Sequence, residues 1–133
     1  MSEEVLDLLK KSGYSDKAIE YYTRRINFGE MKDSSVQFTY TGICGDTMEI
    51  YLKIKSNVIE DAKFRAIGCP GAYACGSALT EMIKGKTLEQ AEKIGSKDVI
   101  DHLGGIPGAK VHCACLAERT LKRAIQKYWE GRG

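Results

Sequence analysis

The sequence carries little net charge and contains no long apolar run. Its 20 basic and 18 acidic residues leave a formal net charge of +2, which gives no electrostatic reason to expect nucleic acid as a partner. No stretch approaches the run of about 18 apolar residues that a membrane-spanning helix needs. Residues 1–18 include acidic side chains where a signal peptide needs a basic run followed by an apolar one. We therefore expect a cytoplasmic protein that binds neither nucleic acid nor membrane.

Internal repeats, low-complexity tracts and nucleotide-binding fingerprints are also missing. The glycine-rich segment around Cys69 has no Gly-Lys-Ser/Thr ending, which excludes a phosphate-binding loop. The chain has 133 residues, the size of one ordinary domain, and its 43% hydrophobic and 29% charged residues are typical of a folded soluble protein. We expect residues 1–133 to form a single domain around one core.

Alternating apolar and polar residues in the middle of the chain predict three β-strands. The first begins at Gln37, the second covers residues 48–55 and the third covers residues 62–67. Ser56 and Asn57 interrupt the alternation as a turn does. Because the connections between the strands are short, we expect an antiparallel meander.

Apolar residues at helical spacing precede and follow the strands. They predict helices over residues 3–11, 16–25 and 72–83, shorter helices opening at Thr87 and Ser96, and a long C-terminal helix. Strands followed by helices, rather than alternating with them, argue for an α+β fold. We expect a three-stranded antiparallel sheet packed against four to six helices, with one face covered and the C-terminal helix on that face.

The chain has five cysteines, an odd number that disulfides within one molecule cannot fully pair: Cys44, Cys69, Cys75, Cys113 and Cys115. In a reducing compartment such thiols bind metal, react, or fill the core. Three of them lie where the predicted elements change, with Cys44 before the second strand, Cys69 between the third strand and a helix, and Cys113 at the start of the final helix. No closed Cys-x-x-Cys pairing is present, so the spacing favours a metal site without choosing the metal.

Other donor atoms stand beside these thiols. Asp46 follows Cys44 by two residues, and His112 is adjacent to Cys113, so a carboxylate and an imidazole accompany the three sulfurs. Thiolates are soft ligands that suit zinc and iron-sulfur clusters, and a helix N-terminus favours the thiolate form. Cys69 and Cys113 are both predicted to have that placement.

Four segments of the chain resemble the IscU/NifU N-terminal family of iron-sulfur cluster assembly scaffolds. They are YSDKAIEYY, ICGDTMEIYLKI with its Cys-Gly-Asp, IGCPGAYACGSALTEMIKGKTLEQA, and KVHCACLAERTLKRAIQKY with its Lys-x-His-Cys. Their order and spacing match together through nearly the whole chain. The resemblance implies an α+β fold and a scaffold or carrier rather than an enzyme.

The resemblance also implies roles for particular residues. Cys44, Cys69 and Cys113 would be the three scaffold cysteines, with Asp46 and His112 as exchangeable partners. Lys110 would support the site as the basic residue before the His-Cys pair. A cysteine desulfurase would deliver sulfur, iron would be added, and the resulting [2Fe-2S] cluster would pass to apo-protein acceptors. The family resemblance allows a homodimer, and zinc in the apo state.

The chain departs from the family pattern at its second cysteine. Pro70 follows Cys69, whereas the family commonly has the ligand cysteine directly within a Cys-Gly-Ser tripeptide, which occurs here at Cys75. Alignment from Thr80-Glu81 and Lys84-Gly85-Lys86 puts Cys69 at the ligand position, with Cys75 as the competing assignment. If Cys75 is not the ligand, its surroundings in sequence fit a buried core residue and an accessory thiol equally well.

Two further departures concern partners. The loop GIPGAK at residues 105–110 stands where members served by a dedicated Hsp70 chaperone carry Leu-Pro-Pro-Val-Lys, so we do not expect that chaperone. Arg24-Arg25-Ile26 replaces the usual Asn-Pro-Arg in a region that the family uses for docking.

The segment between Cys69 and Cys113 lacks the insertion that is typical of the zinc-containing SufU branch. This favours the IscU-like side of the family.

If the chain is a cluster scaffold, particular residues have specific expected roles. Cys113, expected on an exposed junction of loop and helix, is our candidate for the first persulfide acceptor, because a low-pKa thiolate is the competent nucleophile. Asp46 would make the cluster releasable, since oxygen binds iron less tenaciously than sulfur does. Cys115 lies about 200° around a helix from Cys113 and is expected to face the core. Helix packing or a docking face is expected for three tyrosines, Tyr14, Tyr21 and Tyr22.

Two other functions fit the same residues. The chain could hold zinc through four donors and act as a sulfur acceptor or regulator, the donors being Asp46, Cys69, His112 and Cys113. Alternatively, Cys113 could be the nucleophile of a hydrolase or thiol transferase with His112 as its base. Adjacent residues seldom hydrogen-bond well enough for that second role.

Overall fold

The computed structural model describes residues 2–43 and 45–131, so Cys44 lies outside the described residues. The elements follow one another in the order α1 (Glu3–Lys11), α2 (Asp16–Arg24), β1 (Val36–Thr41), β2 (Thr47–Lys55), β3 (Val58–Ile67), α3 (Pro70–Ile83), α4 (Leu88–Glu92), α5 (Ser96–Leu103), a 3-10 turn (Gly108–Lys110) and α6 (Val111–Gly131). Among the described helices, none is long and apolar enough to cross a membrane.

The three strands form one antiparallel sheet in the order β1-β2-β3, as the alternation predicted. Ile50 on the central strand pairs with Phe38 on β1 and with Phe64 on β3. The turn between β2 and β3 has positive φ at Ser56 (52°) and Asn57 (66°), as in the tight turns whose twist matches that of paired strands. The meander is therefore confirmed.

The third strand begins at Val58, four residues before the predicted start at residue 62. The register shifts between Lys53 and Ile54, whose partners on β3 are Asp61 and Ile59. Glu60 is consequently an extra residue in the ladder, and the two-residue period breaks there. The alternation of apolar and polar residues, from which this strand was predicted, is regular only after the bulge.

Helices cover one face of the sheet and leave the other to polar side chains. Met48, Ile50 and Leu52 on β2 are fully buried, and α3 packs on β3 while α6 packs on β1 and β2. On the opposite face, the Arg65 guanidinium lies 2.6 Å from a Glu49 carboxylate oxygen. The predicted α+β architecture with one covered face is confirmed.

Helix α3 lies so close to the sheet that one of its residues must be glycine. A Cβ built on Gly76 would lie 2.5 Å from two ring carbons of Phe64, nearer than van der Waals contact permits. The ring is fully buried and has no free space to move into. Gly76 therefore sets the distance between α3 and β3.

The turn before α2 is fastened to the loop that precedes α6. Ser15 caps α2 by accepting a hydrogen bond from the Ala18 amide at 2.9 Å, and its hydroxyl donates to the Leu103 carbonyl. The Ser15 amide donates to the Gly105 carbonyl at 3.3 Å, and a Cβ on Gly13 would touch Pro107 at 3.6 Å. These contacts fix the position of Tyr14, which lies between Gly13 and Ser15.

Replacing Gly76 with Ala should lower the free energy of unfolding by about 1 to 3 kcal/mol, as overpacking in a close-packed core does. The higher helix propensity of alanine, worth about 1 kcal/mol, opposes this loss but does not cancel it. Urea denaturation followed by circular dichroism measures the change. Gly108→Ala is the matched control, because its Cβ would meet nothing within 4 Å. Equal stability of the two variants would contradict the close approach of α3 to the sheet.

Candidate metal centre

Three elements bring predicted donor residues together at one end of the sheet. Cys69 is the N-cap residue of α3, Cys113 lies in the first turn of α6, and Asp46 immediately precedes β2. A potential ligand atom from each of these residues lies within 4.8 Å of the other two. Residues separated by up to 67 positions in sequence thus form one cluster.

The two thiols and the carboxylate are in direct contact. The Sγ atoms of Cys69 and Cys113 are 3.3 Å apart, and Asp46 Oδ2 lies 3.6 Å from the first and 4.0 Å from the second. In tetrahedral thiolate sites the metal lies about 2.3 Å from each sulfur, which places two sulfurs roughly 3.8 Å apart. A small separation of the two side chains is enough to admit a metal ion.

Backbone geometry holds Asp46 at the site. The Gly42 amide donates to the Asp46 carbonyl at 2.8 Å and closes the loop between β1 and β2. A Cβ on Gly68 would lie 2.7 Å from Asp46 Cγ, so the carboxylate occupies space that only a glycine leaves open. Cys44 belongs to this loop in sequence but lies outside the described residues, and its role as a ligand stays a prediction.

His112 presents one ring nitrogen to the cluster. Its Nδ1 lies 3.1 Å from the Ala109 carbonyl oxygen, and because a carbonyl only accepts, Nδ1 carries the proton of the neutral ring. Nε2 then has its lone pair free and lies 3.6 Å from Cys113 Sγ and 3.9 Å from Asp46 Oδ2. This is the arrangement of a metal-binding histidine, whose second nitrogen is fixed by a backbone carbonyl.

The thiols of Cys69 and Cys113 differ in pKa. A hydrogen bond from the Cys113 thiol lowers the pKa of Cys69 to about 6, although burial opposes the change. The backbone amides of Ala72 and Gly71 and the positive charge of Lys110 lower it further. Of the two thiols, Cys69 is therefore the one that loses its proton more readily.

The expectation that Cys113 is exposed is wrong. Cys113 is fully buried, and its hydrogen bond to Cys69 together with that burial raises its pKa above the ordinary thiol value. The reason is that Cys113 faces the start of α3, where it donates its proton to Cys69. The low-pKa thiolate predicted at a helix start is Cys69.

The other two cysteines that the structure describes, Cys75 and Cys115, differ in burial. Cys75 is fully buried within α3, and burial raises its pKa, so its environment is that of a core residue. Cys69, rather than Cys75, stands beside Cys113. Cys115 is half-buried and lines a groove with Asp46 and His112, contrary to the expectation that it faces the core. Because Cys113 takes the inward side of α6, the residue 200° further round faces this groove.

Sequence reasoning missed the part of Tyr14 in the site. Its side chain is 7% exposed, and its buried hydroxyl donates to no acceptor among the residues that the structure describes, while a hydrogen bond from the Gly71 amide opposes the rise in its pKa. A Cβ on Gly71 would lie 3.1 Å from Cys113 Sγ, 3.4 Å from Tyr14 Oη and 3.5 Å from Cys69 Sγ, so all three atoms surround one point. The only sequence signal was its place at the head of the segment YSDKAIEYY.

The chain is thus a small α+β domain that gathers two thiols, a carboxylate and an imidazole at one end of its sheet, the donor atoms that thiolate metal sites use. A family model of the NifU-like N terminal domain matches residues 13–132, and the chain belongs to that family. It is 45% identical over 121 residues to iron-sulfur cluster assembly scaffold protein IscU 1 of Archaeoglobus fulgidus, covering 90% of this chain and 79% of that protein.

Other comparisons agree. The chain is 42% identical over 120 residues to the iron-sulfur cluster assembly scaffold protein IscU of Haemophilus influenzae, covering 86% of this chain and 94% of that protein. A crystal structure of a putative iron-sulfur cluster assembly scaffold protein for the SUF system from Fervidobacterium islandicum superposes with a TM-score of 0.69. It is 22% identical and covers 84% of this chain and 96% of the other, so it supports the fold alone.

In the metal-free protein, Cys69 should be the first of the four described thiols to react with iodoacetamide, with half-maximal labelling near pH 6. Below that pH the thiol is protonated and labelling falls, because the thiolate is the nucleophile. Cys113→Ala removes the hydrogen bond to Cys69 and should shift the midpoint upward toward the ordinary thiol value. Peptide mapping by mass spectrometry over a pH series measures both midpoints.

The matched control is Cys115→Ala, which leaves the contact between Cys69 and Cys113 intact and should leave the midpoint unchanged. Labelling of Cys113 at a lower pH than Cys69 would overturn the assignment of the thiolate.

Proposed function

We propose that this chain is a scaffold on which an iron-sulfur cluster is assembled and from which the cluster is transferred to apo-proteins. The observation that carries the proposal is the contact of two thiols with one carboxylate, with a Cys69 Sγ to Cys113 Sγ distance of 3.3 Å. Relatives at 42–45% identity bear the name iron-sulfur cluster assembly scaffold protein, and this supports the same role here. The chain acts in this proposal as a carrier rather than as an enzyme.

The proposed ligands are the three cysteines Cys44, Cys69 and Cys113, completed by Asp46 or His112. Two oxygen- or nitrogen-bearing side chains thus compete for one position. An oxygen ligand binds iron less tenaciously than sulfur does, so a cluster held in this way is releasable. The mixed donor set suits a [2Fe-2S] cluster that is cargo, whereas the resident clusters of ferredoxins are held by four thiolates.

Sulfur enters this site at Cys69. Its thiolate attacks the outer sulfur of a persulfide carried by a cysteine desulfurase, the sulfur-sulfur bond of the donor breaks, and the donor cysteine leaves as a thiolate. Cys69 then carries the persulfide. Its conversion to sulfide takes two electrons from an external thiol or iron-sulfur reductant, after which iron binds. The assignment rests on the lowered pKa of Cys69 and on the burial of Cys113.

Zinc binding is the second candidate function. Four described residues offer one sulfur, nitrogen or oxygen atom each, which is the number that a closed zinc site requires: Asp46, Cys69, His112 and Cys113. In this case the chain is a zinc-bound sulfur acceptor or regulator of the same fold. The candidate hydrolase with Cys113 as nucleophile is less well supported, because its thiol is buried and its pKa is raised.

Anaerobic incubation with ferrous iron, cysteine, a reductant and a cysteine desulfurase tests the main proposal. Appearance of the visible absorption and circular dichroism of a protein-bound cluster, followed by activation of an apo-ferredoxin, is the expected result. Cys69→Ala and Cys113→Ala should each abolish stable cluster formation. Zinc uptake without any cluster under these conditions would favour the second candidate instead.

Asp46→Ala should slow transfer of the preformed cluster to an apo-acceptor, because the labile oxygen ligand is removed and more tenacious donors take its position. The transfer rate, followed by circular dichroism after addition of apo-ferredoxin, is the measurement. Asp33→Ala is the control, since Asp33 is an exposed carboxylate paired with Lys53. Transfer that is as fast as or faster than in the unaltered chain would remove the argument for Asp46 as the labile ligand.

A further inference from the structure

Among the described residues, the hydroxyl of Tyr14 is a buried polar group whose proton has no acceptor, although the Gly71 amide lies near its oxygen. Burying a hydroxyl without a hydrogen bond costs free energy, commonly about 1 to 3 kcal/mol. The side chain is only 7% exposed, so water does not replace the missing partner freely. A buried hydroxyl whose proton has no acceptor needs a physical explanation, and the described residues supply no acceptor.

The hydroxyl lies next to the thiol pair. Tyr14 Oη, Cys69 Sγ and Cys113 Sγ are all within 3.5 Å of the point where a Cβ on Gly71 would stand. Burial and the neighbouring thiolate charge raise the pKa of Tyr14, so the phenol keeps its proton. Tyr14 is thus a hydrogen-bond donor beside two sulfur atoms.

The main chain of Tyr14, rather than its hydroxyl, fixes the residue in this position. Hydrogen bonds join Ser15 to the carbonyls of Leu103 and Gly105, and Gly13 packs against Pro107. The Tyr14 amide donates to the Leu9 carbonyl at 3.2 Å. Both flanking residues are therefore tied to the rest of the fold, and the hydroxyl is presented to the site without taking part in that attachment.

In the structure the two sulfurs contact each other across 3.3 Å, and the Tyr14 hydroxyl donates to neither of them. Ligation of a metal requires both cysteines to lose their protons. Two sulfurs bound to one tetrahedral metal ion lie roughly 3.8 Å apart, and each is then a negatively charged acceptor. Ligation therefore separates the two sulfurs from each other and leaves a charged sulfur acceptor beside the Tyr14 hydroxyl.

We propose that the Tyr14 hydroxyl donates a hydrogen bond to the sulfur of Cys69 or Cys113 when these thiolates bind a metal ion or an iron-sulfur cluster, which makes Tyr14 a positioning residue of the site. The inference rests on the proposed function only in taking Cys69 and Cys113 as ligands. Partners of this kind orient metal ligands, and their loss typically lowers metal affinity about 10- to 100-fold. The hydrogen bond also withdraws charge from the sulfur it reaches.

The test compares Tyr14→Phe with the unaltered chain, using Zn²⁺ and Co²⁺ as probes. Phenylalanine keeps the ring and removes the unpaired hydroxyl, so the metal-free variant should be as stable as the parent or more stable. Its Zn²⁺ affinity, measured by competition with a chelator, should nevertheless fall about tenfold. Its sulfur-to-Co²⁺ charge-transfer band should move to lower energy, because the sulfur loses a donor that lowers the energy of its electrons.

Tyr22→Phe is the matched control. Its ring packs edge-on against Tyr73 at 5.8 Å in a half-buried position, and the substitution should change neither the affinity nor the charge-transfer band. A purely structural role for Tyr14 would instead lower metal-free stability and leave the charge-transfer energy in place. Equal Zn²⁺ affinity and equal band energy in Tyr14→Phe and the parent would overturn the inference.

A second variant keeps the test decisive if Tyr14→Phe folds poorly. Site-specific replacement of Tyr14 by 3-fluorotyrosine gives a more acidic phenol and so a stronger donor, and the charge-transfer band should then move to higher energy. An unchanged band would contradict the hydrogen bond. If the parent chain binds Zn²⁺ and Co²⁺ but builds no cluster, the proposed function fails while this inference still stands or falls on the band shifts.

Discussion

The close approach of two helix starts is the constraint on which the site depends. Cys69 caps α3 and Cys113 lies in the first turn of α6, and their sulfurs are 3.3 Å apart because the two helices converge at the same end of the sheet. Two glycines make this possible. Gly76 lets α3 lie against the Phe64 ring, and Gly71 leaves open the space around which both sulfurs and Tyr14 Oη stand. A side chain at either position would push the helix away from the sheet or fill the site.

The chemistry follows from that proximity. One thiol donates to the other, and the pKa of Cys69 falls to about 6 while that of Cys113 rises. Asp46 and His112 lie close enough to complete a ligand set, and neither is anchored to the other by a strong ion pair, since the His112 nitrogen is 3.9 Å from the carboxylate. Under the proposed function, Cys69 accepts sulfur and either Asp46 or His112 gives iron a weaker ligand than a fourth thiolate, as a transient carrier requires.

Local sequence patterns predicted the helices, the order of the strands and the covered face of the sheet, because each depends on neighbours a few residues apart. The start of β3 was misplaced, since the bulge at Glu60 depends on pairing with β2. The ligand set came from the resemblance to a known family. Which cysteine of α6 faces inward, and which thiol loses its proton, depended on packing against α3, a contact 44 residues away in sequence. Tyr14 was missed for the same reason, since its position depends on the loop before α6.

Mössbauer spectroscopy of the chain loaded anaerobically with ⁵⁷Fe and desulfurase-derived sulfide tests the central claim most directly. A [2Fe-2S] cluster held by three cysteines and one oxygen or nitrogen donor has two inequivalent irons, one with sulfur ligands alone and one with a mixed set. We expect two quadrupole doublets of equal area, the one from the mixed-ligand iron with the larger isomer shift. A single doublet from two equivalent all-sulfur irons, or iron without bridging sulfide, would contradict it.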